Sequence, residues 1–343
     1  MHPYRGLEER AHWKCVSQAT HPLDISGWYK RKFQISDLRI GTAGSCFAQH
    51  IGRHLRAKGF RYVDAEPAPN LLRPSRHAAY GYGIYSARYG NIYTTRQLLQ
   101  LLQRSLGEFE PRERVWQRGT GYVDPFRPTI EPQPMDERDV EEHRTYHLGR
   151  VKKLFQNIDV FVFTLGLTEG WMDIRDGAVY PVAPGVSGGQ YDPSVHRFIN
   201  FDTTEVRADL DSFIDRVRAI NPAMRFILTV SPVALMATAT DNHVAVATMY
   251  SKSVLRAIAG EVAANRDYVD YFPSYEIITS HIMRAGFYNN DMRTVNSFGV
   301  EHVMKQFFSE HAPPAESAQP DVSSATDPAD AVCDEELLST FGE

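Results

Sequence analysis

One serine of the sequence stands where a parallel sheet would expose it. Residues 38–43 have the pattern of a buried strand, Gly44 and Ser45 follow, and the apolar spacing over residues 47–55 predicts a helix. In a strand, turn and helix unit the Ser45 hydroxyl projects at the carboxyl edge of the sheet, beside the N–H groups of the helix N-terminus. A serine in this position can be a nucleophile, or it can cap the helix.

Strands and helices alternate four times along the chain, and this alternation predicts the sheet that carries Ser45. Residues 158–165 form a near-continuous apolar run, typical of a strand covered on both faces. Residues 225–230 and 269–272 are further strand patterns, each preceded by a helical one. Because parallel neighbours need crossover helices, we expect an α/β fold with a doubly wound, mostly parallel sheet, whose ligands bind beyond the carboxyl ends of the strands.

The composition divides the chain into a body and a tail. We expect an N-terminal extension over residues 1–37 that packs on the body, and an α/β domain over residues 38–311 with long loop insertions at about 62–135 and 172–203. Residues 312–343 are rich in Pro, Ala, Ser and Asp, a composition that buries too little apolar surface to order itself. We therefore expect a flexible acidic tail.

The charge balance and the cysteines exclude several classes of protein. The chain carries 37 basic and 42 acidic residues, and eight acidic residues lie after residue 312, so the body lacks the basic field of a nucleic-acid-binding protein. The cysteines indicate neither a zinc site nor a disulfide framework; they are Cys15, Cys46 and Cys333. Without a signal-like or membrane-spanning apolar run, we expect a cytoplasmic protein that binds no membrane.

Cofactors are not indicated either. The glycine-rich stretch at residues 185–189 has no Lys-Ser/Thr after it and no strand directly before it, so it is not a phosphate loop. No Gly-x-Gly-x-x-Gly motif follows a strand. We therefore expect neither ATP nor NAD, and a small molecule or a glycan as the partner. The sequence does not indicate an oligomeric state.

The string GSCFA at residues 44–48 resembles the signature of the GSCFA family, which is similar to the SGNH (GDSL-like) hydrolases. Further blocks of this resemblance follow in order: GYGIY at 81–85, FTLGLTEGW at 163–171, LTVSPV at 228–233 and YFPSYE at 271–276. The resemblance extends over nearly all of the chain except the acidic tail.

The SGNH resemblance implies acyl-transfer chemistry on Ser45. Ser45 would be the nucleophile, and its backbone N–H, together with that of Gly83, would hold the oxyanion. SGNH enzymes offer an Asn side chain in the third block, whereas the turn here contains Thr168 and no Asn. Loss of one oxyanion donor costs about 10²–10³ in rate. The Thr168 hydroxyl or a backbone amide would have to replace it.

The resemblance leaves the general base open. SGNH enzymes carry Asp-x-x-His, whereas here Asp291 is followed at the third position by Thr294, which accepts no proton at neutral pH. The predicted topology favours His243, after the strand at 225–230, with Asp291 orienting its imidazole. The other candidates are His302, His281 and Lys252. The helical pattern around Lys252 favours a position facing solvent or an acidic partner such as Glu276.

Aromatic and polar side chains close to two of the blocks are candidates for binding a sugar or another polar acceptor. They are Arg88, Tyr89, Asn91, Glu169 and Trp171. The first three could equally tie a long loop to the sheet. We therefore predict an SGNH-type acyl-transfer enzyme, an O-deacylase, esterase or O-acyltransferase acting on a carbohydrate or small ester. The alternative is a catalytically degenerate protein that binds a glycan or acyl ligand.

Overall fold

Strands and helices alternate along the chain close to their predicted positions. The computed structural model describes residues 2–314 and 334–341. Its strands are β1 (Ile40–Gly44), β2 (Trp116–Arg118), β3 (Gly121–Val123), β4 (Val160–Leu165), β5 (Glu169–Asp173), β6 (Val179–Tyr180), β7 (His196–Asn200), β8 (Arg225–Val230) and β9 (Val269–Tyr271). Its α-helices are α1 (Trp13–Gln18), α2 (Ala48–Ala57), α3 (Thr95–Leu106), α4 (Glu137–Asn157), α5 (Thr203–Ile220), α6 (Val244–Asn265), α7 (Ser274–Thr279) and α8 (Ser297–Glu310).

A parallel sheet in the order β1-β4-β8-β9 forms the centre of the molecule. On the other side of β1, Ile40 makes a single parallel bridge to Tyr62. The extended segment at Tyr62 therefore lies on one side of β1, and β4, β8 and β9 lie on the other. The direction of strand addition reverses at β1, which makes the carboxyl end of β1 a topological switch point.

The two faces of the central sheet are buried in separate apolar cores. Phe161 and Phe163 of β4 pack in a core with α3, α4, α5 and α6. Val160 and Val162 face a second core that contains residues of α2, α7, α8 and the N-terminal segment. Successive side chains of a strand point to opposite faces, so the apolar run of β4 serves both cores. The predicted doubly wound parallel sheet is confirmed.

The insertions contain β-structure that the sequence pattern did not predict. β2 and β3 form an antiparallel hairpin, and β5 pairs antiparallel with both β6 and β7 in a small separate sheet. These strands are only two to five residues long. An alternating pattern cannot be recognised over so few residues.

The end of the chain is described only in part. Residues 315–333 and 342–343 lie outside the described residues, so the predicted flexible tail stays a prediction there. Asp334–Phe341 forms a 3-10 helix, and its Glu336 carboxylate lies 3.9 Å from the guanidinium of Arg293. Within the described part of the chain, no helix combines the length and the apolar character needed to cross a bilayer.

Two buried histidines should make the fold sensitive to acid. Burial and the nearby Arg127 guanidinium lower the pKa of His147 to about 4, and burial with the charge of Arg31 lowers the pKa of His311 to about 4. Their ordinary pKa is 6.5, so below that pH the unfolded chain binds more protons than the folded one, and stability falls as the pH falls towards 4. Each histidine should cost about 3 kcal/mol of unfolding free energy over this range.

Urea unfolding measured at several pH values between 7 and 4 tests this expectation. His147→Gln should flatten the dependence of the unfolding free energy on pH. His281→Gln, at an exposed position, should leave it as in the wild type. An unfolding free energy that stays constant from pH 6.5 to pH 4 would contradict the expectation.

Candidate active site

Ser45 lies at the carboxyl edge of the sheet, directly after β1, as predicted. Its backbone N–H donates to Thr164 O of β4 (3.1 Å), and its carbonyl accepts from Ala48 N (2.8 Å) at the start of α2. The residue is only 3% exposed. Its Oγ is buried and forms no hydrogen bond to any residue that the structure describes. The switch point of the fold thus holds a buried hydroxyl that has no hydrogen-bond partner among the described residues.

Two glycines make room for this serine. Gly44 has φ +139°, and a Cβ built there would lie 2.3 Å from Thr164 O. A Cβ on Gly166 would lie 3.0 Å from the Cβ of Ser45. Any side chain at either position would push β4 or its following turn away from Ser45. The glycine before the serine is therefore required by the close approach of β1 and β4.

The loop over residues 85–93 forms one wall beside Ser45. Ile92 N donates to Gly44 O (2.9 Å), which fixes the loop to the end of β1. The Tyr85 hydroxyl donates to Asn91 Oδ1 (2.6 Å) and lies 3.4 Å from Ser45 O. Because the Oδ1 atom accepts from Tyr85, the Nδ2 group is the end of the Asn91 side chain that can donate.

Lys252 of α6 is buried at the same edge of the sheet. The helical pattern favours exposure of this lysine, and that expectation is wrong, because Lys252 is 1% exposed. Its Nζ donates to Gly166 O (2.7 Å), the carbonyl of the residue that packs against Ser45. The structure therefore places the Lys252 amino group on the residue that packs against the candidate nucleophile.

Two of the predicted oxyanion donors are committed to other acceptors. The N–H of Ser45 belongs to the hydrogen bond with Thr164 O. Thr168 N donates to Ser251 Oγ (2.9 Å), and the Thr168 hydroxyl donates to Asn200 Oδ1 (2.7 Å). In the structure both residues thus donate to acceptors within the protein, and their oxyanion role stays a prediction.

Gly83 lies in a turn that follows a short 3-10 helix. Its φ is +71°, and its carbonyl accepts a hydrogen bond from Arg56 of α2. The loop residues that hydrogen-bond to the ends of β1 and β4 are instead Ile92 and Tyr93. An oxyanion role for Gly83 stays a prediction.

The predicted base and its orienting carboxylate are not brought to Ser45. His243 is exposed and caps α6, where its Nδ1 accepts from Ala245 N (3.1 Å). Asp291 is also exposed, and its Oδ2 accepts from the hydroxyl of Thr294 (2.7 Å). Thr294 thus donates to the carboxylate that would have oriented the base. His243 makes no hydrogen bond to Ser45.

The other two histidine candidates lie in different environments. His302 is 7% exposed and stacks on Phe287 at 5.1 Å between ring centroids, and burial with the charge of Lys305 lowers its pKa. His281 is exposed and lies 5.3 Å from the Trp13 ring. Among the described residues, no imidazole forms a hydrogen bond with Ser45 Oγ.

Arg88 and Tyr89 tie the 85–93 loop to the body. The Arg88 guanidinium pairs with Glu131 and donates to Tyr80 O (2.7 Å), and only 5% of the residue is exposed. The Tyr89 hydroxyl donates to Thr42 O of β1. Substrate contact by these two residues is not supported, because their polar groups are buried in contacts within the protein.

Glu169 and Trp171 begin the small sheet that follows β4. The Glu169 carboxylate accepts from the Thr238 hydroxyl (2.8 Å), and burial raises its pKa. Trp171 is half-buried, with the rings of Tyr191 and Phe198 at 5.4 and 5.8 Å between centroids. The start of β5 therefore presents an aromatic cluster on the carboxyl side of the central sheet.

Cys46 follows the candidate nucleophile and is 7% exposed. It is disulfide-bonded, so the expectation that the cysteines form no disulfide is wrong for this residue. Cys15 is a free thiol, and Cys333 lies outside the described residues. The described residues contain no group of three or more His, Cys, Asp or Glu side chains arranged to hold a metal ion.

The doubly wound parallel sheet, with its buried serine at the switch point, defines an α/β protein with a candidate nucleophile at the carboxyl edge. The chain belongs to the GSCFA family, whose model matches residues 39–307, and the predicted family resemblance is confirmed. A crystal structure of an acetyl esterase mutant with an acetate ion is similar to the chain at 10% identity, with a TM-score of 0.32, over 80% of this chain and 95% of that one. No curated protein matches the chain.

Proposed function

We propose that the chain is an acyl-transfer enzyme with Ser45 as its nucleophile, acting as an O-deacylase, esterase or O-acyltransferase on a carbohydrate or small ester. The Ser45 hydroxyl carries this proposal. A serine that only caps a helix accepts a hydrogen bond from an amide of the first turn. The Oγ of Ser45 accepts none from the described residues, and Phe47 is the N-cap residue of α2.

We assign the proton transfer from Ser45 to Lys252. A lysine buried away from water can be neutral and act as a base, and a serine with a lysine partner is an established nucleophile arrangement. As Ser45 Oγ attacks the acyl carbonyl, its proton passes to the neutral amine. The bond to the leaving alkoxide then breaks, and the ammonium returns the proton to that oxygen. Water or an acceptor alcohol attacks the acyl-serine in the second half-reaction, losing its proton to Lys252 and releasing Ser45.

Asn91 is the proposed donor to the developing oxyanion. Its side-chain amide carries the donor group Nδ2, its Oδ1 accepts from the Tyr85 hydroxyl, and the loop that carries Asn91 is bonded to Gly44 at the end of β1. The N-terminus of α2 adds a positive dipole end beside Ser45. Asn91 would thus supply the amide that the third sequence block lacks.

Labelling with a fluorophosphonate probe tests the proposed nucleophile. The wild type should form a covalent adduct on Ser45, and Ser45→Ala should form none. Ser231→Ala is the matched control, since Ser231 is a buried serine at the carboxyl end of the neighbouring strand β8. It should label as the wild type does. Equal labelling of the wild type and Ser45→Ala would refute the assignment.

A binding protein without turnover is the second candidate function. It is favoured by one observation, that no described histidine bonds to Ser45 Oγ. Calorimetric titration with an acetylated oligosaccharide distinguishes the two functions. A binding protein would hold the ligand intact for hours, whereas the enzyme would release acetate or transfer the acetyl group.

Trp171 offers the surface on which a sugar ring could stack. Trp171→Ala should raise KM for an acetylated oligosaccharide about two- to tenfold, since an aromatic contact contributes about 0.5–1.5 kcal/mol. Turnover of an aryl acetate, which lacks the sugar, should change little. Trp13→Ala, at a tryptophan that is 60% exposed on α1, should alter neither value. Equal effects of Trp171→Ala on both substrates would contradict a sugar-binding role.

A further inference from the structure

A charged cluster is buried behind the 85–93 loop, between α3, α4 and the β2–β3 hairpin. Asp124 is the central carboxylate, and its side chain is 5% exposed. The guanidinium of Arg127 lies 3.1 Å from it, that of Arg144 lies 3.6 Å away, and that of Arg104 lies 4.0 Å away. These three arginine side chains are between 4% and 9% exposed. Three buried positive charges therefore surround one negative charge.

Several donors of this cluster have no acceptor in the part of the chain that the structure describes. Arg104 Nε and Nη2 and Arg144 Nε are buried and make no hydrogen bond to any described residue. The face of the Arg104 guanidinium rests on the Phe126 ring, 3.7 Å from its centroid, so these donors lie at the edge of the plane. A buried donor without an acceptor costs about 1–3 kcal/mol, more when it is charged. The Nε and Nη2 groups of Arg104, which lack an acceptor among the described residues, are the feature that calls for a ligand.

A small cavity lies beside Arg104. Its volume is about 30 Å³, and Arg104, Arg127, His147 and Phe126 are among its lining residues. A cavity of about 10–15 Å³ is enough to hold one water molecule. The cavity therefore has room for about two waters or one monatomic anion, and it is too small for a phosphate.

The neighbouring carboxylates do not balance the charge. Glu66 accepts from Arg88 N (2.8 Å) and pairs with His147 Nδ1 (2.8 Å), and Glu131 pairs with the Arg88 guanidinium. Together with the cluster, these groups make four arginines and three carboxylates. They are Arg88, Arg104, Arg127 and Arg144, and Glu66, Asp124 and Glu131. Burial lowers the pKa of Arg104 only to about 10, so its guanidinium stays charged at neutral pH. One positive charge remains in excess.

We propose that this cavity binds a small monovalent anion, chloride or bromide, between the guanidinium groups of Arg104 and Arg127. The anion would accept from the unbonded Arg104 donors and neutralise the excess charge. Tyr89 and Asn91 also line the cavity, so the bound anion would stiffen the loop that forms one wall beside Ser45. The site does not depend on the proposed enzymatic function.

Thermal unfolding at constant ionic strength tests this proposal, with sodium chloride or bromide replacing sodium gluconate. The unfolding midpoint should rise with halide concentration and saturate, by about 5 °C at a hundred times the dissociation constant. Arg104→Gln should abolish the rise. Asp124→Asn, which removes the competing carboxylate, should enlarge it. Arg138→Gln is the control, because that side chain is 86% exposed, and it should respond as the wild type does.

A crystal soaked in bromide gives a second measurement that needs no variant. In the wild type, an anomalous peak is expected within hydrogen-bonding distance of Arg104. In Arg104→Gln, if that variant folds, the peak should be absent or strongly reduced. If the soaked crystal shows a water molecule instead of bromide in the cavity at high bromide concentration, the proposal is overturned. A halide response that is equal in the wild type and in Arg104→Gln would also overturn it, since the stabilisation would then come from elsewhere on the protein.

Discussion

Replacing Ser45 by alanine is expected to lower kcat on an aryl acetate or an acetylated sugar by about 10⁴–10⁶, the range for loss of a serine nucleophile. The loss should fall on kcat rather than on KM, because the hydroxyl acts on the reacting carbonyl and contributes little to ground-state binding. Initial rates with purified protein measure both values. The free energy of unfolding should stay equal or rise slightly, since Ala leaves no unpaired polar atom at this buried position.

Ser231→Ala is the matched control for Ser45→Ala. Both serines are buried at the carboxyl end of a strand of the central sheet, and only Ser45 is expected to matter for turnover. If both variants keep full activity while the wild type hydrolyses the ester, the reaction uses another nucleophile. If neither the wild type nor any variant shows turnover, the binding function becomes the better conclusion.

Lys252→Met is expected to lower kcat by about 10²–10⁴, the usual contribution of a positioned general base. His243→Ala should keep near-normal turnover, because His243 is exposed and its Nδ1 is used to cap α6. Combined with Ser45→Ala, Lys252→Met should lower the rate little further, because a nucleophile and its base act as one unit.

Lys252→Arg separates a base from a purely structural group. Arginine can still donate to Gly166 O, but it does not lose its proton at usable pH and so cannot act as a base. Kinetics should therefore show Lys252→Arg to be as inactive as Lys252→Met. Lys305→Met, at an exposed lysine of α8, should behave as the wild type. An active Lys252→Arg would assign Lys252 to structure alone, and an inactive His243→Ala would restore the histidine as the base.

The pattern of apolar residues along the chain sufficed to predict the sheet and its helices. The run from residue 158 to residue 165 predicts β4, and the Thr94 and Gln97 capping box at α3 is visible in the sequence as a start signal. These elements depend on local periodicity and on neighbouring residues. The place of Ser45 at the end of β1 follows from them, because parallel strands bring their carboxyl ends to one edge.

The residues placed around Ser45 were decided by the tertiary structure. Lys252 belongs to a helix more than two hundred residues away, and only the packing of α6 on the sheet brings its Nζ to Gly166 O. The same holds for Asn91, whose role depends on the bond between its loop and Gly44. The predicted topology places His243 at the same edge of the sheet, but in the structure its ring caps α6.

The sequence by itself determined the parallel α/β sheet, the family and the position of the serine, because periodicity and short motifs are local properties of the chain. Only the tertiary structure decided which charges are buried together, as in the Asp124 and Arg104 cluster, and which polar groups remain without partners. Burial and hydrogen bonding depend on segments distant in sequence. A charged residue looks the same in a sequence whether it faces water or a cavity, and that difference decides its chemistry.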